Sequence, residues 1–228
     1  MINNVRNTVL TILNKENRGY LTPEQFTLFA IYAQQNIFNL YFSEYARMVS
    51  LKNARRLGSD YGDRVKELQA KIDPFTVSVD ISKSGTSYPK PSDLFKPLSV
   101  RYNGTLVDPL PISKEVYMDA ANLNGPSATY PVYVDKNNAY TLKPSTLSGA
   151  LELIYIKNPS EPKWTYTTIG EDPIFNPSAS DYKDFELNSS SETELVLEIC
   201  KLAGITIREA DITQAAIGLD SQNTQKDN

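Results

Sequence analysis

Apolar and polar positions change their rhythm several times along the chain. Val5, Val9, Ile12 and Leu13 recur at helical spacing, which predicts a short helix over residues 4–13. Residues 17–21, with Gly19, read as the connector to a longer helix that Thr22-Pro23-Glu24-Gln25 announces. Thr22 can cap it, and Pro23 suits the first helical position because its missing N–H would have been unpaired anyway. Gln25 stands three residues on, as a capping box requires. The helix that follows is crowded with aromatics. Phe26, Phe29, Ala33, Ile37 and Leu40 make one stripe on it. Ile31, Phe38, Phe42, Tyr45 and Val49 make a second, roughly 130° round, where an ordinary surface helix carries one stripe of about 100°. One partner cannot cover both faces, so the surplus points to assembly more than to chemistry. Residues 51–56 are expected to continue the helix. Residues 64–72 form a third, with Val65, Leu68 and Ile72 on one face, stopping before Pro74.

From Phe75 the period falls to two. Phe75, Val77, Val79 and Ile81 alternate with polar residues, the pattern of a half-buried strand. Residues 98–102, then Asn103-Gly104, then residues 105–110 predict a hairpin. Asn-Gly is the preferred pair where a type I′ turn needs positive φ twice. Ser113 caps a short helix expected to end near Asn122. Residues 130–134, 139–143 and 151–157 give three more strands, with a turn at Asn137-Asn138. Residues 158–188 keep neither period. Pro159, Pro162, Pro173 and Pro177 punctuate them, and such a segment reads as an extended arm. Ser191-Glu192-Thr193-Glu194 reads as a second capping box, opening a helix over 191–203 that ends at Gly204. A final short helix is expected over 209–217, and the polar end 221–228 is expected to fray. The predicted fold class is α+β: N- and C-terminal helices in one bundle, a β-rich antiparallel insertion and an extended proline-spaced arm. The corresponding parts are 1–73, 74–157, 158–189, 190–218 and a tail over 219–228.

Composition narrows function by exclusion. Histidine is absent. With it go the usual general base, the usual zinc ligand and every Ser-His or Cys-His nucleophile arrangement. The sequence has no glycine-rich phosphate loop, dinucleotide fingerprint, nucleophile elbow or close cysteine pair. Its one cysteine, Cys200, lies among Leu195, Val196, Ile199 and Leu202 and reads as a small buried hydrophobe. Residues 1–13 lack a secretory pattern, and no apolar run approaches the roughly 18 residues of a membrane span. No enzyme activity, catalytic residue, cofactor, metal or membrane partner is expected.

The net charge of −4 conceals an asymmetry. Residues 1–71 hold 10 basic and 6 acidic side chains, residues 72–168 hold 9 of each, and residues 169–228 hold 4 and 12. A basic head and an acidic tail can pack within one chain or form the two sides of a head-to-tail contact between copies. Neither resembles a basic nucleic-acid-binding domain. Asp172, Asp181, Asp184 and Glu186 lack the glycine and terminal glutamate of a calcium loop, so they read as a solvated acidic arm before a metal or glycosidase cluster. Trp164 with Tyr166 offers either a stacking platform for a sugar or base, or an anchor holding the arm to a surface. Aromatic anchors flanked by prolines favour the second.

Several ordered segments carry a family resemblance. They are Val9-Leu10-Thr11-Ile12-Leu13-Asn14-Lys15, Arg18-Gly19-Tyr20-Leu21-Thr22-Pro23-Glu24-Gln25-Phe26 and Pro91-Ser92-Asp93-Leu94. Further on come Tyr130-Pro131-Val132-Tyr133-Val134, then Tyr155-Ile156-Lys157-Asn158-Pro159 through Pro162-Lys163-Trp164. The last is Asp184-Phe185-Glu186-Leu187 running into Ser191-Glu192-Thr193-Glu194-Leu195. In this order they resemble the neck and tail ring proteins, or head-to-tail adaptors, of short-tailed, crAss-like bacteriophages. The resemblance implies a helical body with a β-rich insertion, assembled as a ring, commonly of twelve copies. Such rings join the portal protein to other neck and tail ring proteins and surround the channel through which DNA leaves. It carries over no chemistry. An acidic lumen would let genomic DNA pass without specific binding, since holding duplex DNA takes cationic phosphate contacts.

The expectation is therefore a structural virion protein of the neck or tail, made in the host cytoplasm. The alternatives are a carbohydrate-binding or glycan-degrading tail-associated module and an assembly factor that never enters the virion. The expected interface residues are Phe38, Phe42 and Tyr45 on the second helix face, and Pro159, Pro162 and Trp164 on the arm. The second stripe has one other candidate cover, the chain's own helix over 191–203, which would leave ring contacts to the arm and the β insertion.

Overall fold

The computed structural model describes residues 1–14, 21–53, 61–119, 125–170 and 172–207. In chain order the elements are α1 (Ile2–Asn14), α2 (Pro23–Asn53), α3 (Tyr61–Ile72), β1 (Thr76–Ile81), β2 (Tyr88–Pro89), β3 (Leu94–Tyr102), β4 (Thr105–Leu106) and β5 (Asp108–Leu110). They continue with α4 (Glu115–Asp119), β6 (Val132–Lys136), β7 (Ala139–Lys143), β8 (Leu151–Lys157), β9 (Tyr166–Ile169), β10 (Asp172–Phe175) and α5 (Glu192–Ile207). The fold class is α+β. The chain divides into two units, Met1–Pro74 with Pro159–Asn228, and Phe75–Asn158. Expectations for residues 17–20, 54–56, 120–122, 209–217 and 221–228 lie outside the described residues.

In the first unit, the capping box at the start of α2 forms as the sequence requires. The Gln25 N–H donates to Thr22 Oγ1 at 3.2 Å, and the Thr22 N–H donates to Gln25 Oε1 at 3.1 Å. The two stripes expected on α2 fuse into one buried band. Phe26, Ala30, Ala33, Gln34, Ile37, Phe38, Tyr41 and Met48 are buried, an arc of about 140° at 100° per residue. The outer residues of the expected stripes stay at the margins, and Leu40 is exposed. The band is this wide because α3 and α5 both pack on α2, and Gln34 bonds the backbone at Ser160 and Glu186. α1 adds Ile2, Val5, Val9 and Leu13 to the buried side and packs on α5.

Three expectations in this unit need correction. The arm is folded: β9 and β10 pair as an antiparallel hairpin with Phe175 opposite Tyr166, and Gly170, with φ +68°, supplies a conformation that side chains resist at the turn. Pro173 sits within β10 opposite Thr168, and Pro159, Pro162 and Pro177 lie outside the two strands. The helix expected to stop at Gly204 runs through it to Ile207. Glycine inside a helix costs about 1 kcal/mol against alanine, which packing of the buried Ala203 and Gly204 can override. The second capping box does not form either. A 3-10 turn, Ser189–Ser191, precedes α5, and Asn188 caps it by accepting the Ser190 N–H at 3.1 Å.

The second unit is built on two four-stranded sheets, ordered β1-β8-β3-β4 and β2-β7-β6-β5. Their facing side chains share one core that includes Ile81, Tyr88, Val100, Tyr140, Leu151 and Leu153. The Asn103-Gly104 turn adopts the expected double positive φ, 48° and 77°, and pairs Tyr102 with Thr105. The strand expected over 105–110 breaks at the buried Val107. β4 stays with β3, while β5 crosses to the other sheet and pairs with β6 in parallel. The insertion is thus mixed rather than wholly antiparallel. Pro109 fits because β5 is an edge strand, where a missing N–H removes no ladder bond.

Candidate interaction surfaces

The residues expected to meet another copy are largely buried or half-buried within the chain's own helical unit. Phe38 is fully buried and meets Phe42 edge to face at 4.8 Å. Tyr45 is half-buried against Met48, Val65 and Leu68, the cluster joining α2 to α3. Pro159 and Pro162 are buried, and Trp164 is 3% exposed. The Trp164 indole N–H donates to Asn3 Oδ1 at 3.2 Å, the Arg6 guanidinium lies over its ring at 3.8 Å, and Tyr166 and Phe175 stack against it. Trp164 is therefore an anchor, and its surface is its own helical unit. With its faces covered, it offers a sugar or a base no free platform.

Three polar groups explain why this segment folds back. Gln34 is buried in the α2 band. Its amide nitrogen donates to the Ser160 carbonyl at 2.8 Å, and its amide oxygen accepts the Glu186 N–H at 3.0 Å. One side chain thus ties down both ends of the intervening loop. Asp184 accepts from the Met1 ammonium at 2.9 Å, the Ile2 N–H at 2.8 Å and the Phe185 N–H at 2.8 Å, capping the start of α1. Burial opposes the charge on Asp184, but the ammonium and N–H donors outweigh it and hold its pKa below the ordinary value. Tyr41 bonds to Ser191 Oγ at 2.7 Å and donates to Glu194, which also faces Lys71 at 3.4 Å. Burial first, then the bond to Glu194, pushes the Tyr41 hydroxyl far above its ordinary pKa. This is where the two capping-box residues went: Ser191 and Glu194 lock α5 to α2.

The four acids considered as a cluster have separate structural roles. Asp181 pairs with Lys163 at 2.7 Å, Asp184 holds the chain start, Glu186 accepts from Ser160 Oγ at 2.7 Å, and Asp172 opens β10. Among the described residues, no group of three or more potential ligands can hold a metal ion. Cys200 is buried, and desolvation pushes its thiol up to about 11.

Among the exposed apolar positions of the described residues, two places stand out. In the helical unit, a groove of about 540 Å³ lies between the first turns of α2 and the β9 side of the folded arm. Pro23, Leu28, Ile31 and Tyr166 give it an apolar lining, with Leu28 49% and Tyr166 42% exposed. Among the described residues of its lining, Glu24, Asp181 and Lys163 carry charge. In the β unit, Val116 and Tyr117 of α4 are 76% and 77% exposed, and Tyr130 is 78% exposed. Glu115, the neighbour of Val116, is fixed inward by Lys136 at 2.9 Å and Lys143 at 3.3 Å, and these bonds lower its pKa. The start of α4 is thus tied to β6 and β7, and its apolar side chains project.

Fold and surfaces together define an α+β protein whose buried polar groups serve structure and whose free apolar side chains face outward. The chain matches no protein-family model and no curated protein sequence. Sequence reasoning missed Gln34, although a glutamine four residues from both Ala30 and Phe38, inside an apolar stripe, was a visible signal. It also missed Val116 and Tyr117. They sit side by side on an element too short to show a period.

Proposed function

We propose that this chain is a structural subunit of a bacteriophage neck or tail, assembling with copies of itself into a ring that joins the portal to tail components. The observation that carries the reading is the projection of Val116, Tyr117 and Tyr130 at more than three quarters exposure. Adjacent apolar side chains this exposed, as Val116 and Tyr117 are, support a contact role. The ordered sequence resemblance supports the same role, as does the use of the buried polar groups in holding the fold. A ring is a closed heterologous assembly, so each subunit must present two different complementary faces. The groove and the projection differ in this way. In such a ring, the acidic excess of residues 169–228 suits a channel wall that lets DNA pass without binding.

The test is co-expression with the portal protein encoded in the same genome, followed by negative-stain imaging. The expected result is copurification and an added ring of density on the portal. A chain that neither binds the portal nor appears in purified particles contradicts the proposal.

A further inference from the structure

The groove and the projection have opposite shapes and opposite charge. The groove is concave and apolar; among the described residues its lining carries Glu24, Asp181 and Lys163, and because Lys163 pairs with Asp181 at 2.7 Å the acidic excess is Glu24. The projection is convex and apolar, and Lys114 is exposed three positions before Tyr117 with no ion pair among the described residues. We propose that Val116 and Tyr117 of one copy dock in the Leu28–Tyr166 groove of the next, with Lys114 meeting Glu24. This rests on the ring reading and names the contact that would build the ring. It supplies a heterologous join, in which the face used on one copy differs from the face used on its neighbour.

The dimensions agree. A buried tyrosine removes about 150–250 Å² from water, and an aromatic side chain in a desolvated pocket is the usual anchor of an interface. A groove of about 540 Å³ holds a tyrosine and its valine neighbour. A stable protein interface needs roughly 1,200–2,000 Å² in total, so this contact is the anchor of a larger join. Charge supplies the register. Lys114 enters a site with an acidic excess, whereas two copies meeting groove to groove would oppose like charges.

The test uses the full chain in two variants with one added cysteine each, Ser113→Cys beside the projection and Ala179→Cys on the groove wall. Both replace small residues, and the buried Cys200 is controlled by the unmodified chain. The variants are mixed, allowed to exchange and treated with a short bis-maleimide. We expect cross-linked dimers in the mixture and little in either variant alone. Equal linking within one variant alone would mean a two-fold contact and overturn the docking. Closed oligomers seen by mass without linking in the mixture would overturn the docking and leave the ring reading intact. Monomers at every concentration and on the portal would remove both. As a second measurement, Glu24→Lys and Lys114→Glu should each raise the concentration for half-assembly about fivefold, and the double variant should recover it. Weakening without recovery overturns the charge register.

Discussion

The helical unit and the β unit solve closure differently. The β unit is one uninterrupted stretch, Phe75–Asn158, and two of its buried tyrosine hydroxyls find partners within it: Tyr88 bonds the Gly149 carbonyl at 2.9 Å, and Tyr155 bonds Asp93 at 2.9 Å. The helical unit is made of two stretches from opposite ends of the sequence. It is joined by Gln34 to Ser160 and Glu186, by Asp184 to Met1, and by Tyr41 to Ser191 and Glu194. In the first case, local pattern nearly suffices. In the second, a few buried polar side chains decide where a proline-rich segment lies, because each would leave an unpaired group behind if that segment moved away.

The comparison makes its largest prediction at Trp164. In the full chain, Trp164→Ala should destabilise the helical unit by about 3–5 kcal/mol, because it empties a buried site and frees the Arg6 and Asn3 contacts. Circular dichroism during urea denaturation measures this. A variant as stable as the parent would return Trp164 to the role of an intermolecular anchor. Gln34→Leu follows, at about 2–3 kcal/mol, since it orphans the Ser160 carbonyl and the Glu186 N–H. Trp164 is the only tryptophan, so its fluorescence reports the loss from the helical unit. Gly104→Ala in the β unit should cost about 1–2 kcal/mol, because φ of +77° suits glycine and not alanine. It should leave the Trp164 fluorescence transition in place. A shifted transition would show that the two closures do not act separately.

The smallest effect is on pH. The Asp184 pKa is lower in the folded chain than in the unfolded one, so its charge stabilises the fold above the ordinary carboxylate range. That contribution fades as pH falls through the depressed folded value. The stability of the parent should therefore fall more steeply with acidification than that of Asp184→Asn. Parallel curves would remove Asp184 from the closure.

What the sequence disclosed follows the same division. The first α2 cap, the Asn103-Gly104 turn and the alternating strands were readable, because each depends on neighbours a few residues apart. Gly204 and the Ser191 box misled for one reason: local signals there compete with tertiary packing and lose. The folded arm was hidden because its partner, Gln34, lies more than 100 residues away. The six interface residues were drawn from the strongest apolar signals, and strong apolar signals mark cores first. The weaker features, a groove bordered by Leu28 and a five-residue helix bearing Tyr117, remain on the outside.

The proposal turns the free apolar surfaces of this chain into contacts with further copies. Native mass spectrometry of the full chain, alone and with portal protein, tests it most directly. The expected result is one closed oligomer, of about twelve copies, dominating at micromolar concentration or on the portal. A single species of 25.5 kDa under every condition would contradict it.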